Sequence, residues 1–158
     1  MKACGKLAAS AALLALTACG VTPIRQDLMV HLSQGQGLAA VMLDTYDPLS
    51  LVTIEPRSAG GSDFNIPAVP VGSNIYVFAV PAGHYCFTSY QYGQWKMSGK
   101  SGELGCFDVP TGGLGYSGTL APRVENGKVV THQVMDPAGF RALLTARYPV
   151  IAKQFPAP

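Results

Sequence analysis

Gly113-Leu114-Gly115-Tyr116-Ser117-Gly118 satisfies the spacing of a phosphate-binding glycine loop. Such a loop cradles pyrophosphate when it follows a strand and opens a helix, whose free N–H groups then face the anion. Here Thr119-Leu120-Ala121-Pro122 follows, a strand-like run broken by proline, so dinucleotide chemistry is not expected. The overlapping Gly115-Tyr116-Ser117-Gly118-Thr119 has Thr119 where a nucleophile elbow requires glycine. His31, His84 and His132 each sit among apolar neighbours in strand-like stretches. A Ser-His-Asp site can be assembled on any fold, so spacing alone does not exclude one. Isolated strand histidines nevertheless serve more often as surface or core side chains, and no catalytic residue is assigned. No acidic run has calcium-loop spacing. Tyr85, Tyr90, Tyr92, Trp95 and Tyr116 form an aromatic-rich zone with Gln91 and Gln94. Exposed, such a zone binds sugar or peptide. The plainer reading, and the preferred one, has alternate aromatics filling the core while the others shield a sheet face.

The most specific chemistry lies at the start of the chain. Lys2 and Lys6 precede an apolar run from Leu7 to Leu16, and small residues lead into Cys19 with Gly20 behind it. Ser10 and Thr17 interrupt the run, which falls short of the ~20 residues a membrane span needs. Its size and order are those of a secretory signal. Leu16-Thr17-Ala18-Cys19 resembles the lipobox of bacterial lipoprotein precursors. That resemblance implies a signal peptide over residues 1–18, cleavage before Cys19 and diacylglycerol on the Cys19 sulfur. Two acyl chains hold a protein stably where one holds it only reversibly, so the membrane is the expected partner. By the same resemblance, Gly20 in place of aspartate implies sorting to the outer membrane, facing the periplasm.

Loss of residues 1–18 leaves 140 of the 158, the size of one domain. Lys2 and Lys6 leave with the leader, so 11 basic residues fall to 9, matching the 9 acidic ones. A neutral chain lacks the cationic footprint of a nucleic-acid-binding protein, and no nucleic-acid partner is expected. The 18 glycines and 12 prolines, beside only 13% charged residues, suit many short strands joined by tight turns.

Cys4 departs with the leader and Cys19 is acylated, which leaves Cys86 and Cys106. Two thiols in an oxidising compartment suggest one disulfide. A metal pair is disfavoured, since neither cysteine has a CxxC partner or a histidine at ligand spacing; no metal or cofactor is expected. If the two cysteines face each other across a hairpin, Tyr85 opposes Phe107, His84 opposes Asp108, Phe87 opposes Gly105 and Thr88 opposes Leu104. Tyr85, Phe87, Phe107 and Val109 then share an apolar face, and Gln91–Ser101 is the hairpin tip.

Residues 19–27 read as a lipidated tether before a domain over residues 28–155. The predicted strands are Leu28–Ser33, Leu38–Asp44, Ser50–Glu55, Asn74–Val80, Gly83–Gln91, Glu103–Val109, Gly113–Val124 and Lys128–Val134, although the apolar run Leu38–Leu43 fits a helical turn as well. Asn126-Gly127 is the strongest hairpin signal. Phe78-Ala79-Val80-Pro81-Ala82-Gly83 is echoed by Phe107-Asp108-Val109-Pro110-Thr111-Gly112, which suggests two similar corners turning on proline. Asp136 and Pro137 suit an N-cap and first helical position. Phe140, Leu143, Leu144, Arg147 and Tyr148 then form one stripe, so a helix is expected over residues 136–148, stopped by Pro149. The fold class is mainly β, a small antiparallel β-sandwich with one C-terminal α-helix.

Pro81-Ala82-Gly83-His84-Tyr85-Cys86-Phe87, Cys106-Phe107-Asp108-Val109-Pro110-Thr111-Gly112 and Tyr116-Ser117-Gly118 resemble small bacterial lipoproteins with a prealbumin-like or carboxypeptidase-regulatory-like β-sandwich. The likeness covers roughly residues 70–150. It implies an accessory, structural or protein-interaction role in the cell envelope and supplies no catalytic residues. The alternatives are a subunit of an envelope secretion or assembly complex, and a small hydrolase or ligand-binding enzyme built around His84 or His132. A pocket joining histidine to a carboxylate and a nucleophile would favour the enzyme, and an exposed patch around Trp95 the binding module.

Overall fold

Strand β1 (Gln36–Thr45) is buried along nearly its whole length, which accounts for its unbroken apolar run. Leu38, Ala40 and Met42 face one hydrophobic cluster while Ala39, Val41 and Leu43 face another. A strand covered on both sides has no polar face to alternate with. This computed structural model describes residues 21–58, 61–98, 104–126 and 128–156; the leader and Cys19 lie outside them. The remaining strands are β2 (Leu49–Pro56), β3 (Phe64–Val69), β4 (Gly72–Pro81), β5 (Gly83–Tyr92), β6 (Trp95–Ser98), β7 (Gly105–Val109), β8 (Leu114–Glu125) and β9 (Lys128–Val134), followed by helices α1 (Pro137–Arg147) and α2 (Pro149–Gln154).

The strands form two sheets, ordered β4-β1-β8-β9 and β3-β2-β5-β6, with β7 pairing β5 beyond β6. Between them lies the main core, built from Phe64, Phe78, Tyr85, Phe87 and Phe107 with the aliphatic residues of β1 and β2. The second core fills the opposite face of the first sheet, where Phe140, Leu144, Tyr148 and Ile151 cover Leu38, Ala40 and Val77. Phe140 stacks on Tyr116, with ring centroids 4.0 Å apart. The layers therefore run sheet, sheet, helices.

The β-sandwich is as expected, but several of its parts are not. β1 and β8 pair in parallel, because β8 enters its sheet by crossing over from β7 at the same end as β1. Leu28–Ser33 is not a strand. Its backbone at Val30 is held instead by the Gln154 amide, which donates to the Val30 carbonyl at 2.6 Å and accepts from its N–H at 3.1 Å. Residues 21–27 are not a free tether: Ile24 donates to the Val77 carbonyl on the open edge of β4, and Val21 and Ile24 pack against the cores. The C-terminus holds two helices. Pro149 ends α1 as expected but, carrying no N–H to satisfy, also begins α2.

β3 and β6 were not expected. Pro67 obscures the alternation of Phe64 and Ile66, and an edge strand tolerates a proline. β6 turns back on β5 across Gly93-Gln94, with Gly93 at φ 54°, so the expected tip at Gln91–Ser101 is partly strand. Residues 99–101 and Glu103 lie outside the described residues, as does Gly127 of the Asn126-Gly127 turn.

The two echoed corners carry the chain between the sheets in opposite directions, β4 to β5 and β7 to β8. Both dock where the chain enters β1, Ala82 N–H to the Gly35 carbonyl of the preceding turn at 2.8 Å and Gly112 N–H to the carbonyl of Gln36, the first residue of β1, at 2.7 Å. Of the glycine loop, Gly115 sits where a Cβ would collide with the Asp108 carbonyl, and Gly37 is pressed likewise against that of Pro110. The glycines let β1 and β8 pass close to β7. That is a packing role.

Candidate functional site

At one end of the sandwich the two sheets part around a cleft of about 450 Å³. Thr45 closes β1 and Leu49 opens β2, and the turn between them carries Tyr46 and Asp47 to the rim. The tight turn from β5 to β6 brings Tyr92 and Trp95 to the opposite rim, directly paired across the two strands. Pro122 and Arg123 of β8 form the third side. The floor is Thr45, Leu49 and Tyr90, all buried, with Met97 half-covered beside them. A volume of this size suits a small ligand or a few side chains of a partner.

Arg123 organises the rim. Its Nη2 lies 2.6 Å from Asp44 Oδ2, while Nη1 donates to the Asp44 carbonyl at 2.9 Å and the Pro122 carbonyl at 3.1 Å. So pinned, the guanidinium stands 4.2 Å from the centre of the Tyr46 ring, within the range of cation–π attraction. A flat, delocalised cation can hold a carboxylate and an aromatic ring at once. Below it the Tyr90 hydroxyl reaches across to Thr131 Oγ1 of β9 at 3.2 Å. Burial pushes the Tyr90 phenol above its ordinary pKa, and the bond to Thr131 pulls it partly back.

Tyr46, Tyr92 and Trp95 are 72%, 45% and 64% exposed. Three large aromatic side chains left in water around one cleft form a surface that gains from being covered. The aromatic-rich zone thus divides in two. Tyr85 and Tyr116 belong to the cores, as the plainer reading has it, while Tyr90, Tyr92 and Trp95 line the cleft. Tyr46 and Arg123 were missed, because they reach the site from other strands. The signal available was Tyr46 in the Tyr46-Asp47-Pro48 turn, a large aromatic placed where only turn residues are needed.

None of the histidines lines the cleft. His31 is exposed. His84 Nδ1 lies 2.8 Å from Asp108 Oδ1 and His132 Nε2 lies 2.8 Å from Glu125 Oε1, both pairs at the surface. Such exposed pairs contribute little to stability, and among the described residues the side-chain partner found for each imidazole is a carboxylate. Cys86 and Cys106 oppose each other across β5 and β7 in the expected register, with Tyr85 against Phe107 and Phe87 against Gly105. Their sulfurs are 2.08 Å apart and their Cα atoms 4.0 Å, well inside the ~7 Å limit for a bridge. His84, Cys86 and Cys106 place one donor atom each within 4.8 Å of one another, the one group of metal-ligand types gathered among the described residues.

Comparison with family models, curated proteins and solved structures finds no match to this chain.

Proposed function

We propose that this chain is a lipid-anchored envelope protein without enzymatic activity, which uses the aromatic cleft to hold an apolar segment of another envelope protein. The observation that carries the binding role is the gathering of Tyr46, Tyr92 and Trp95, all exposed, around one cleft held by Arg123. Aromatic anchors beside a pocket are the usual centre of a protein interface. The anchor rests on the lipobox resemblance at Leu16-Thr17-Ala18-Cys19. Only Gly20 separates Cys19 from Val21, which packs on the domain. A lipid on Cys19 would therefore hold the body of the domain against the bilayer.

Two measurements test the reading. Cys19→Ser leaves the precursor uncleaved and without label from a radioactive fatty acid; continued labelling of this variant overturns the anchor. A photo-cross-linking residue at Tyr92 in intact cells yields a discrete adduct that Trp95→Ala or Tyr46→Ala abolishes. The same residue at Thr145, exposed on α1, yields none. Equal capture from both positions overturns the cleft as the binding site.

A further inference from the structure

Two chemistry-bearing pairs lie on one face of the β5–β7 ribbon. His84 stands opposite Asp108 and Cys86 opposite Cys106. Side chains alternate along a strand, so all four lie on the face turned away from Tyr85, Phe87 and Phe107, which fill the core. The donor atoms of His84, Cys86 and Cys106 are mutually within 4.8 Å, and the Asp108 carboxylate is 2.8 Å from His84 Nδ1. In sequence these are His84-Tyr85-Cys86 and Cys106-Phe107-Asp108, a spacing of two that has meaning only on strands.

We propose that this face is a redox-gated metal site: closed while Cys86 and Cys106 are bonded, and able to take one divalent cation of the zinc class once they are reduced. The ligands are the two thiolates and the imidazole of His84, with the fourth corner left to water. Opening the bond takes two electrons and two protons from a dithiol reductant, which closes into its own disulfide. The cation then replaces both thiol protons, so each ion bound releases two protons to solvent. Two thiolates and an imidazole select a soft or borderline ion over calcium or magnesium.

The geometry suits the ion. Zinc–sulfur bonds of ~2.3 Å at tetrahedral angles set two thiolates roughly 3.8 Å apart. Cysteines with Cα atoms 4.0 Å apart reach that spacing by turning their side chains, without shifting the strands. Asp108 is a positioning residue. With Nδ1–H donated to its carboxylate, His84 presents the Nε2 lone pair, the carboxylate–histidine–metal arrangement that fixes a ligand's tautomer and orientation. Glu55 pairs with Cys86 from the other side but stays outside the set. Its carboxylate accepts from the Thr88 hydroxyl at 3.0 Å and faces Arg57 at 3.9 Å.

The test uses the full chain, reduced with a phosphine, desalted under argon and titrated with cobalt(II) or zinc(II) alone. The reduced protein takes one cobalt ion, with a thiolate-to-metal band in the near ultraviolet and the visible bands of a tetrahedral site. Zinc displaces it and raises the melting temperature. The oxidised protein does neither. His84→Gln and Asp108→Asn alter exposed side chains, and each weakens zinc binding about 10-fold or more, while Cys86→Ser abolishes it. The proposal is overturned if the reduced wild type binds zinc no more tightly than His84→Gln. Equal binding by the oxidised protein overturns it too, as does a reduced protein that has lost its circular dichroism signal and does not regain it with zinc.

Discussion

Truncating Leu144 tests whether the helices are part of the domain's stability or an ornament on it. Leu144 is 1% exposed and shares the second core with Phe140, Tyr148, Ile151 and the outer residues of β1 and β4. Leu144→Ala removes three carbons, worth ~0.8 kcal/mol each by transfer, or roughly 2.4 kcal/mol. The vacated space adds to that. On one side Phe140 is locked in its stack with Tyr116, and beneath lies β1, hydrogen-bonded on both edges, so collapse into the gap is limited. The loss should fall near ~3–4 kcal/mol, in the middle of the range for buried leucines and a large share of the ~5–15 kcal/mol that holds a domain together. At ~2–4 °C per kcal/mol for a chain of this size, the melting temperature should drop by roughly 6–16 °C. Thermal unfolding followed by far-ultraviolet circular dichroism reads this directly, with Thr145→Ala, exposed one residue on, expected within about 0.5 kcal/mol of wild type. A loss below about 1 kcal/mol for Leu144→Ala, equal to that of the control, would refute the docking of α1 and with it the three-layer architecture.

Three further expectations follow from the same packing. Peptide mapping of the unreduced protein should yield a linked pair containing Cys86 and Cys106, and reduction should cost ~3 kcal/mol for a loop of about twenty residues; two free thiols would refute the bridge. Gly115→Ala should destabilise the domain by at least the ~1–3 kcal/mol of an overpacked core, since its Cβ meets the Asp108 carbonyl. Gly93→Asn, at positive φ with open space around it, should be nearly neutral, and similar unfolding midpoints for the two would refute the close crossing of β7 and β8. Burial raises the phenols of Tyr76, Tyr85, Tyr90 and Tyr148. In the unfolded chain they ionise near pH 10, before the folded ones do. Stability from this source is whole below that pH and declines as the pH rises towards the folded values; an alkaline decline in Tyr90→Phe no smaller than in wild type would count against the buried phenol.

The period-two and turn patterns made much of the architecture legible. The hairpin register followed from setting Cys86 opposite Cys106, which places Tyr85, Phe87, Phe107 and Val109 on one face, and the helix cap from Asp136, which accepts from Gly139 N–H at 3.0 Å. These are local rules, settled within one hairpin or one helical turn. Leu28–Ser33 was misread for the opposite reason. Its residues have strand-like composition, but a strand requires a partner, and here the side chain of Gln154 supplies the backbone bonds from 124 residues away.

The amino-acid sequence by itself determined the β-rich class, the proline-turned corners, the cysteine pairing and the capped terminal helix, each through residues near one another along the chain. Tertiary structure alone decided which sheet each strand joins, the parallel pairing of β1 with β8, and the burial of β1 on both faces. It also decided the aromatic cleft, whose Tyr46, Tyr90, Trp95 and Arg123 come from β2's entry turn, β5, β6 and β8; the face that joins His84 to the paired cysteines follows from the hairpin register. A sequence specifies which side chains exist and which face of a strand each takes. Which faces meet depends on closing long loops around a shared core, and that balance of entropy against burial is struck over the whole chain at once.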